Sequence, residues 1–470
     1  MIDYGSVSAQ ELASCIRRGE IKALEVIEAH VECLARINPR LNALVAERFK
    51  AARGEARAAD ERIAAAGPGA VLPPLLGVPF SVKESIALTG MPHSSGLLAR
   101  RHVRARRDAV VVARLREAGA IPLGVTNVSE LCMWMESNNP VYGRTNNPYD
   151  PARTPGGSSG GEGALVGAGC VPFGVGADIG GSIRMPAFFC GVFGLKPTGG
   201  RVPNQGGFPL GTGAAADYYC TGPLARRAED LLPLLGIMDG SGSPEPVSPL
   251  SRLRVITVPD RAGPRVAPAL SRALEGAAIA LAARGARLER HALPRLRHGL
   301  SIWATMLSAG STRSFSEDLG VVSLSTLVSE IVRLPLGRAR HTLPALGLAA
   351  IERLTPTDGA VAKRVLAEGA TLRRELAALL GDDGVLLYPP HPVLAPRHNR
   401  PLLSPTNWVY TAIFNVLENP VVQVPLGLDP RGLPLGVQVV APHGREDLAV
   451  TAALALEEAF GGWRPPPGIS

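Results

Sequence analysis

The chain has 470 residues, of which 46% are hydrophobic and only 4% aromatic, with 53 glycines and 42 prolines. This composition excludes a disordered or fibrous protein and indicates a globular protein of enzyme size with many turns. The length would allow about three average domains, although one large α/β domain can also reach it.

The positive charge of the chain comes almost entirely from arginine. The net charge is +8, and five lysines stand against 44 arginines. Such a chain is expected to keep lysine mainly where arginine cannot replace it. The densest basic stretch, residues 99–107 (ARRHVRARR), has no interleaved aromatics. We expect a solvated loop or helix face there, with an anionic surface as the alternative, and no nucleic acid partner because no recognised binding motif accompanies it.

The cysteines and the N-terminus bear on the cellular compartment. The six cysteines form no CxxC pair and no histidine spacing, so neither a disulfide framework nor a zinc site is indicated: Cys15, Cys33, Cys132, Cys170, Cys190 and Cys220. The N-terminus has no apolar signal-peptide core. The uncharged stretch between Glu162 and Asp178 has 15 residues, too few to span a bilayer. We expect a cytoplasmic protein without a transmembrane segment, metal or cofactor.

Residues 1–65 are predicted to form an N-terminal helical segment packed on the core. Ser8 and Glu11 have the spacing of a capping box. An apolar stripe at helical spacing follows and stops at Asn38 and Pro39; its members are Leu24, Ile27, Val31 and Leu34.

From residue 66 to 470 the pattern is that of one α/β unit. Residues 77–86 read as a buried strand, 109–127 as helix, turn and strand, and 269–286 as a helix. Short strands are predicted within 385–390, 419–427 and 433–441, the last two joined by a hairpin turn at LDPRG. No repeat or long linker divides the chain. We therefore predict a single α/β domain with a central twisted mixed β-sheet flanked by helices on both faces.

The glycine-rich stretch 154–169 (TPGGSSGGEGALVGAG) matches two general motifs only superficially. Gly161-x-Gly163 resembles a dinucleotide loop, and GSSGG fits the G-x-S-x-G pattern of esterases. Both motifs require a strand directly before them, and Thr154-Pro155 stands there instead. Tight packing would explain the glycines, but it does not explain the serines among them.

Three polar residues each have a structural explanation when taken singly. Ser158 could be a turn residue, Ser182 a helix N-cap, and Lys83 a strand residue whose amine reaches solvent. A serine nucleophile needs a base, and no histidine is close to Ser182 in the sequence.

Taken together, these segments resemble the amidase signature family. The resemblance rests on GGSSGGEGALVGAG followed by GADIGGSIRMPAFFCGVFGLKPT, and it extends from INPRLNALV near the start to LPLGVQVVA near the end. Within the family, IGGSIRMPAFFCGVFG and LGDDGVLLYPPHPVLAPRH are most similar to the fatty-acid amide hydrolases, particularly the second vertebrate form. Membrane-anchored members carry an N-terminal transmembrane helix, and no such segment is recognisable here.

The resemblance implies a catalytic triad without histidine. Ser182 would be the nucleophile, Ser158 the bridging serine behind a cis peptide bond from Gly157, and Lys83 the base. To accept a proton, Lys83 must first lose its own, and burial in an apolar strand would lower its pKa by the roughly two to three units required.

The same turn would supply the oxyanion hole. Successive backbone N–H groups could face the developing oxyanion, since Gly180 and Gly181 permit close approach; the donors are those of Ile179, Gly180, Gly181 and Ser182. By resemblance, the loop ELCMWMESNNP lines the acyl channel and places Cys132, Met133 and Trp134 near the scissile bond, although Met and Trp are also ordinary core residues. SIWATM, residues 301–306, is a second candidate wall.

Three functions follow as hypotheses. The first is a serine hydrolase of small-molecule amides with an apolar acyl or aryl group, with carbamates and esters as further substrates and a homodimer as a compatible assembly. The alternative is the glutaminase subunit of a tRNA-dependent amidotransferase, with protein and tRNA partners. A catalytically inactive binding scaffold is disfavoured because Lys83, Ser158 and Ser182 are all present.

Overall fold

A computed structural model describes residues 6–67, 69–242, 248–353 and 359–468. Thirteen strands form in this part of the chain: β1 Leu44–Glu47, β2 Pro79–Lys83, β3 Ile121–Thr126, β4 Asn138–Asn139, β5 Gly143–Arg144, β6 Phe173–Asp178, β7 Phe193–Lys196, β8 Cys220–Ala225, β9 Arg254–Thr257, β10 Arg287–Arg290, β11 Gly384–Tyr388, β12 Val421–Leu428 and β13 Pro434–Val440.

Eleven of these strands make one mixed sheet in the order β1-β3-β2-β6-β8-β7-β12-β13-β11-β9-β10, and β4 pairs with β5 separately. The neighbours β3, β2 and β6 run parallel, as do β11, β9 and β10. The strands between these two groups pair antiparallel. The predicted mixed sheet within a single α/β domain is confirmed.

The described residues also form fifteen α-helices: α1 Ala9–Arg17, α2 Ala23–Leu41, α3 Phe49–Ala64, α4 Val110–Glu117, α5 Gly160–Gly167, α6 Arg184–Phe189, α7 Leu231–Asp239, α8 Pro268–Ala283, α9 Gly299–Gly310, α10 Phe315–Leu319, α11 Leu324–Arg333, α12 Leu343–Glu352, α13 Gly359–Leu380, α14 Val409–Val416 and α15 Glu446–Phe460.

The sheet separates two hydrophobic cores because side chains alternate along each strand. In β11, Val385 and Leu387 join one core, whereas Leu386 and Tyr388 join the other. Helices α2, α3, α4, α7, α8 and α15 contribute to the first core, and α6, α9, α13 and α14 to the second. The predicted helices on both faces of the sheet are therefore confirmed.

Most of the predicted elements are present. Strand β2, the helix–turn–strand of α4 and β3, helix α8 and the β12–β13 hairpin all lie at their predicted places. Ser8 caps α1, since its Oγ accepts the Glu11 N–H at 3.0 Å.

The N-terminal segment differs from the prediction in two places. Helix α2 continues past Pro39 to Leu41: the proline removes one backbone hydrogen bond and crowds the preceding turn, but the last turn still closes from the Asn42 N–H to the Asn38 carbonyl at 2.8 Å. Residues 44–47 form a strand rather than helix, because β1 pairs antiparallel with β3 at the edge of the main sheet. Tertiary hydrogen bonds outweigh local propensity here.

Two further observations concern the surface and the membrane. The arginine-rich segment 99–107 is largely exposed around a short 3₁₀ turn, as expected of a solvated loop. Within the described ranges, no helix is both long enough and apolar enough to cross a bilayer.

Candidate active site

Lys83 lies at the end of a buried strand next to a serine. It is the last residue of β2, its side chain is buried, and its Nζ donates to Ser158 Oγ at 2.7 Å and to the Ala177 carbonyl at 3.2 Å. Strand β2 runs parallel to β6, so the carboxyl ends of both strands meet at one edge of the sheet. This parallel pairing brings Lys83 to the turn that follows β6.

Burial favours the uncharged form of this lysine. Desolvation lowers the pKa of Lys83 from its ordinary value, and the nearby Cys132, Asp178 and Glu162 offset only part of that effect. A buried amine with a lowered pKa holds a larger neutral fraction near neutral pH and can therefore accept a proton.

Ser158 lies just before helix α5, where backbone segments pack closely. The Gly157–Ser158 peptide bond is cis, as the resemblance implied. A Cβ on Gly157 would lie 2.3 Å from the Trp134 carbonyl oxygen, so only glycine fits against the loop that carries Trp134. Ser137 Oγ donates to the Ser158 carbonyl at 3.1 Å, and this bond holds the serine backbone in place.

Ser182 lies in the turn between β6 and α6. Its carbonyl accepts the Ser159 N–H at 3.1 Å, which joins the two serine-bearing segments. Gly181 in this turn has φ +118°, and a Cβ there would lie 2.0 Å from Thr411 Oγ1. Both the positive φ and the close approach of α14 therefore require glycine.

The four predicted oxyanion donors do not all face the same way. Ile179, Gly180 and Ser182 line a cavity of about 40 Å³. The Gly181 N–H instead donates to Asp178 Oδ1 at 2.7 Å. Three of the four predicted residues therefore border the cavity, and the fourth binds the carboxylate beneath the turn.

The predicted substrate residues share this cavity with Ser182. Cys132, Met133 and Trp134 all line it. Leu131 and Cys132 have positive φ values of 49° and 60°, and such a backbone is unusual for residues other than glycine. The second predicted wall is represented by Trp303, which also lines the cavity.

A buried ion pair that the sequence analysis missed supports the turn. Asp178 accepts from Arg184 Nη2 at 2.9 Å and from the Ile183 N–H at 3.1 Å. Arg184 Nη1 and Nη2 also donate to Gln438 Oε1 and Asn415 Oδ1. Burial alone would raise the pKa of Asp178, but the charge and hydrogen bonds of Arg184, with Asn415, hold it well below its usual range. In the sequence, this ion pair is indicated only by the acidic and basic residues at the two ends of DIGGSIR, Asp178 and Arg184.

Glu162 is a second buried carboxyl group near Lys83. Its two oxygens accept from Ser81 Oγ at 2.5 Å and from Thr126 Oγ1 at 2.7 Å. Burial raises the pKa of Glu162 to about 7, although both hydrogen bonds oppose the rise. Desolvation therefore outweighs the two hydrogen bonds at this carboxyl group.

The remaining residues of the cavity include two, Leu348 and Trp408, that come from distant parts of the chain. Met135, Gly157, Met185, Leu348 and Trp408 complete its lining. Trp408 had no signal in the sequence, because nothing in its own segment indicates that α14 packs beside Ser182. Among the described residues, no group of three or more His, Cys, Asp or Glu side chains could hold a metal ion.

Comparison with known proteins gives a consistent result. The family model described as Amidase matches residues 25–450. Fatty-acid amide hydrolase 2-A of Danio rerio is 45% identical over 98% of this chain and 90% of the relative. Indoleacetamide hydrolase of Bradyrhizobium diazoefficiens is 32% identical over 97% of this chain and 86% of the relative. The solved structure of 6-aminohexanoate cyclic dimer hydrolase superposes with a TM-score of 0.81 at 27% identity, covering 100% of both chains.

Proposed function

The chain belongs to the amidase signature family and hydrolyses amide bonds of small molecules. From this premise we propose that it is a serine hydrolase with the triad Ser182, Ser158 and Lys83. One observation carries the proposal: the buried Lys83 Nζ lies 2.7 Å from Ser158 Oγ, at the edge of the sheet where Ser182 borders the cavity. A lysine that merely supplied positive charge would not need to be buried against a serine hydroxyl.

The proposed reaction proceeds through an acyl-enzyme. Ser182 Oγ attacks the carbonyl carbon while its proton passes to Ser158 and the proton of Ser158 passes to neutral Lys83. The same path in reverse protonates the departing amine, and the C–N bond breaks. Water then attacks the ester of Ser182 by the same proton path and releases the acid.

Backbone N–H groups would stabilise the oxyanion formed in both steps. We assign this role to Ile179, Gly180 and Ser182, which border the cavity. The Gly181 N–H instead stabilises the turn through its hydrogen bond to Asp178. Loss of one oxyanion donor typically costs about 3 to 4 kcal/mol of transition-state stabilisation.

The cavity favours an apolar acyl or aryl group over glutamine. Of its described lining residues, including Cys132, Met133 and Trp134, none carries a charged side chain. Glutamine brings an ammonium and a carboxylate group, and burying either without a partner is unfavourable. The relative named fatty-acid amide hydrolase 2-A supports the same choice. Carbamates and esters would pass through the same type of tetrahedral intermediate, so we include them as substrates.

Hydrolysis by the purified chain alone tests this proposal. Ammonia release is measured from hydrophobic primary amides and from glutamine, with Ser182→Ala as the inactive control. We expect turnover of the hydrophobic amides by the wild type and none by the variant. The amidotransferase component would be favoured instead if the chain hydrolysed no hydrophobic amide and released ammonia from glutamine only when partner proteins were added.

A further inference from the structure

The cavity beside Ser182 is unusually rich in two residue types. The chain has only four tryptophans and seven methionines. Three of the tryptophans and three of the methionines line this one cavity: Trp134, Trp303, Trp408, Met133, Met135 and Met185. Indole rings are rigid and flat, whereas methionine side chains adapt their shape to what they contact. One part of the lining is therefore fixed and another can yield.

Two of the indoles form a fixed aromatic wall next to the proposed oxyanion site. The rings of Trp303 and Trp408 meet edge to face, with centroids 4.2 Å apart and planes at 71°. Trp303 Nε1 donates to the Ile179 carbonyl at 3.2 Å, and Trp408 Nε1 donates to the Pro405 carbonyl at 2.6 Å. A Cβ built on Gly180 would lie 3.7 Å from each ring. A carbonyl held at this turn thus has aromatic surface within contact distance.

The third indole has an unused hydrogen-bond donor. Among the described residues, Trp134 Nε1 is buried and has no hydrogen-bond partner. A buried donor without an acceptor is unfavourable, and most such groups in proteins are paired. Trp134 lines the cavity but its Nε1 is not exposed there, so an acceptor atom on a ligand reaches this donor only when the lining beside it moves.

The free space sets a limit on how the ligand enters. The cavity holds about 40 Å³, whereas a protein cavity that binds benzene measures roughly 150 Å³. A ring can enter only if part of the lining moves, and the methionines are the residues able to do so. The indoles of Trp303 and Trp408 are held by hydrogen bonds and would stay in place as the stacking surface.

We propose that the preferred substrate is an amide whose acyl group carries an aromatic ring with a hydrogen-bond acceptor, the ring contacting Trp303 and Trp408 and the acceptor binding Trp134 Nε1. This inference rests on the proposed function and specifies its substrate class. An aromatic contact predicts a preference for an aryl group over an alkyl group of the same size and polarity. Hydrophobic burial alone predicts no such preference.

The first test compares two primary amides that differ in aromaticity. The value of kcat/KM is measured by ammonia release for phenylacetamide and cyclohexylacetamide. An aromatic contact should favour phenylacetamide by about threefold to tenfold in the wild type. We expect Trp303→Leu to bring this ratio close to one. The control is Trp463→Phe, which changes a tryptophan outside the cavity lining and should leave the ratio unchanged. A wild-type ratio of one or below, or a ratio that survives Trp303→Leu, overturns the aromatic contact.

The second test addresses the acceptor. We expect 3-pyridylacetamide to exceed phenylacetamide in kcat/KM by about twofold to tenfold, the effect of one hydrogen bond. Trp134→Phe keeps an aromatic ring and removes the donor, so this preference should vanish in the variant. A preference that is absent in the wild type or kept in Trp134→Phe contradicts the assignment of Trp134.

Failure of this inference can be separated from failure of the proposed function. If hexanamide is hydrolysed as well as phenylacetamide and Ser182→Ala is inactive, the serine hydrolase stands and only the aryl preference is wrong. If none of these amides is hydrolysed, the proposed function itself is wrong.

Discussion

The environment of the Lys83 amine could not be predicted from its own segment of the sequence. In sequence this residue is a lysine in an apolar strand, and taken singly it is explained by a side chain that reaches solvent; only the family resemblance indicates a base. The structure places its amine in the interior, 2.7 Å from Ser158 Oγ. No local pattern could have decided this, because burial of the amine depends on β6 and the turn after it.

Replacement of Lys83 separates a base from a simple positive charge. We expect Lys83→Arg and Lys83→Ala to lose amidase activity by similar factors, on the order of a hundredfold or more, because guanidinium cannot release its proton near neutral pH. Esters with good leaving groups should suffer less, since such a group departs without a proton. Steady-state kinetics on an amide and its matched p-nitrophenyl ester measure both effects. Near wild-type amidase turnover by Lys83→Arg would return this lysine to a structural role.

Glu162 should tune the pH dependence of the reaction. The wild-type rate should fall at low pH as Lys83 becomes protonated, because burial lowers but does not abolish its proton affinity. Above about pH 7 the Glu162 carboxylate is ionised and favours protonated Lys83. Glutamine cannot ionise, so Glu162→Gln should move the acidic limb of the kcat/KM profile to lower pH, by about one unit or less.

The control for this experiment is Asp230, another buried carboxyl group, which contacts helix α1 and is not among the groups that shift the pKa of Lys83. Burial also raises the pKa of Asp230 to about 7, but Asp230 caps α1 by accepting the Ala9 and Gln10 N–H groups. Asp230→Asn should therefore leave the limb in place. A shift to higher pH in Glu162→Gln, or equal shifts in both variants, would show that Glu162 does not act on Lys83.

At the scale of elements, the turn between β6 and α6 depends on parts of the chain that lie far away. Arg184 joins this turn to α14 and β13 through Asn415 and Gln438, which are more than 200 residues further along. Strands β2, β3 and β11 and the β12–β13 hairpin were predictable because their patterns are local, whereas β1 was predicted as helix. The support of the turn was not, since long-range pairing leaves no periodicity in either segment.

Loss of this ion pair should destabilise the protein. Arg184→Leu leaves the Asp178 charge buried without its partner, and such changes typically reduce the free energy of unfolding by about 3 to 5 kcal/mol. The Arg431–Asp429 pair is the comparison, since 65% of the Arg431 side chain is exposed. Arg431→Leu should change the free energy of unfolding by no more than about 1 kcal/mol. Urea unfolding of the three proteins gives these values, and similar small losses in both variants would contradict the structural role.

The loop that carries Met133 should discriminate substrates by size. Met133→Asp places a carboxylate beside an apolar acyl group, and burying it there without a partner is unfavourable. We expect KM to rise by about tenfold or more for aryl or long-chain amides and much less for acetamide, as measured by ammonia release. Equal effects on large and small amides would mean that the loop does not contact the acyl group.

The fold assembles one site from widely separated stretches of the chain. Lys83 contacts Ser158 where β2 and β6 run parallel, Ser182 lies in the turn after β6, and the three could be assigned together through the family resemblance. Trp303 and Trp408 both pack in the second core; Trp303 lies in the predicted SIWATM wall, whereas no motif indicated Trp408. The resemblance thus led to the proposed triad, whereas the shape of the cavity required the packed structure.

Ser182 alone should become covalently modified during catalysis. The direct measurement is reaction of the intact protein with a fluorophosphonate probe, followed by peptide mapping, with Lys83→Ala treated in parallel. We predict one adduct per chain, on Ser182, formed much more slowly in the variant that lacks the base. An adduct on Ser158 or Ser159, or labelling of Ser182 at the same rate with and without Lys83, would contradict this mechanism.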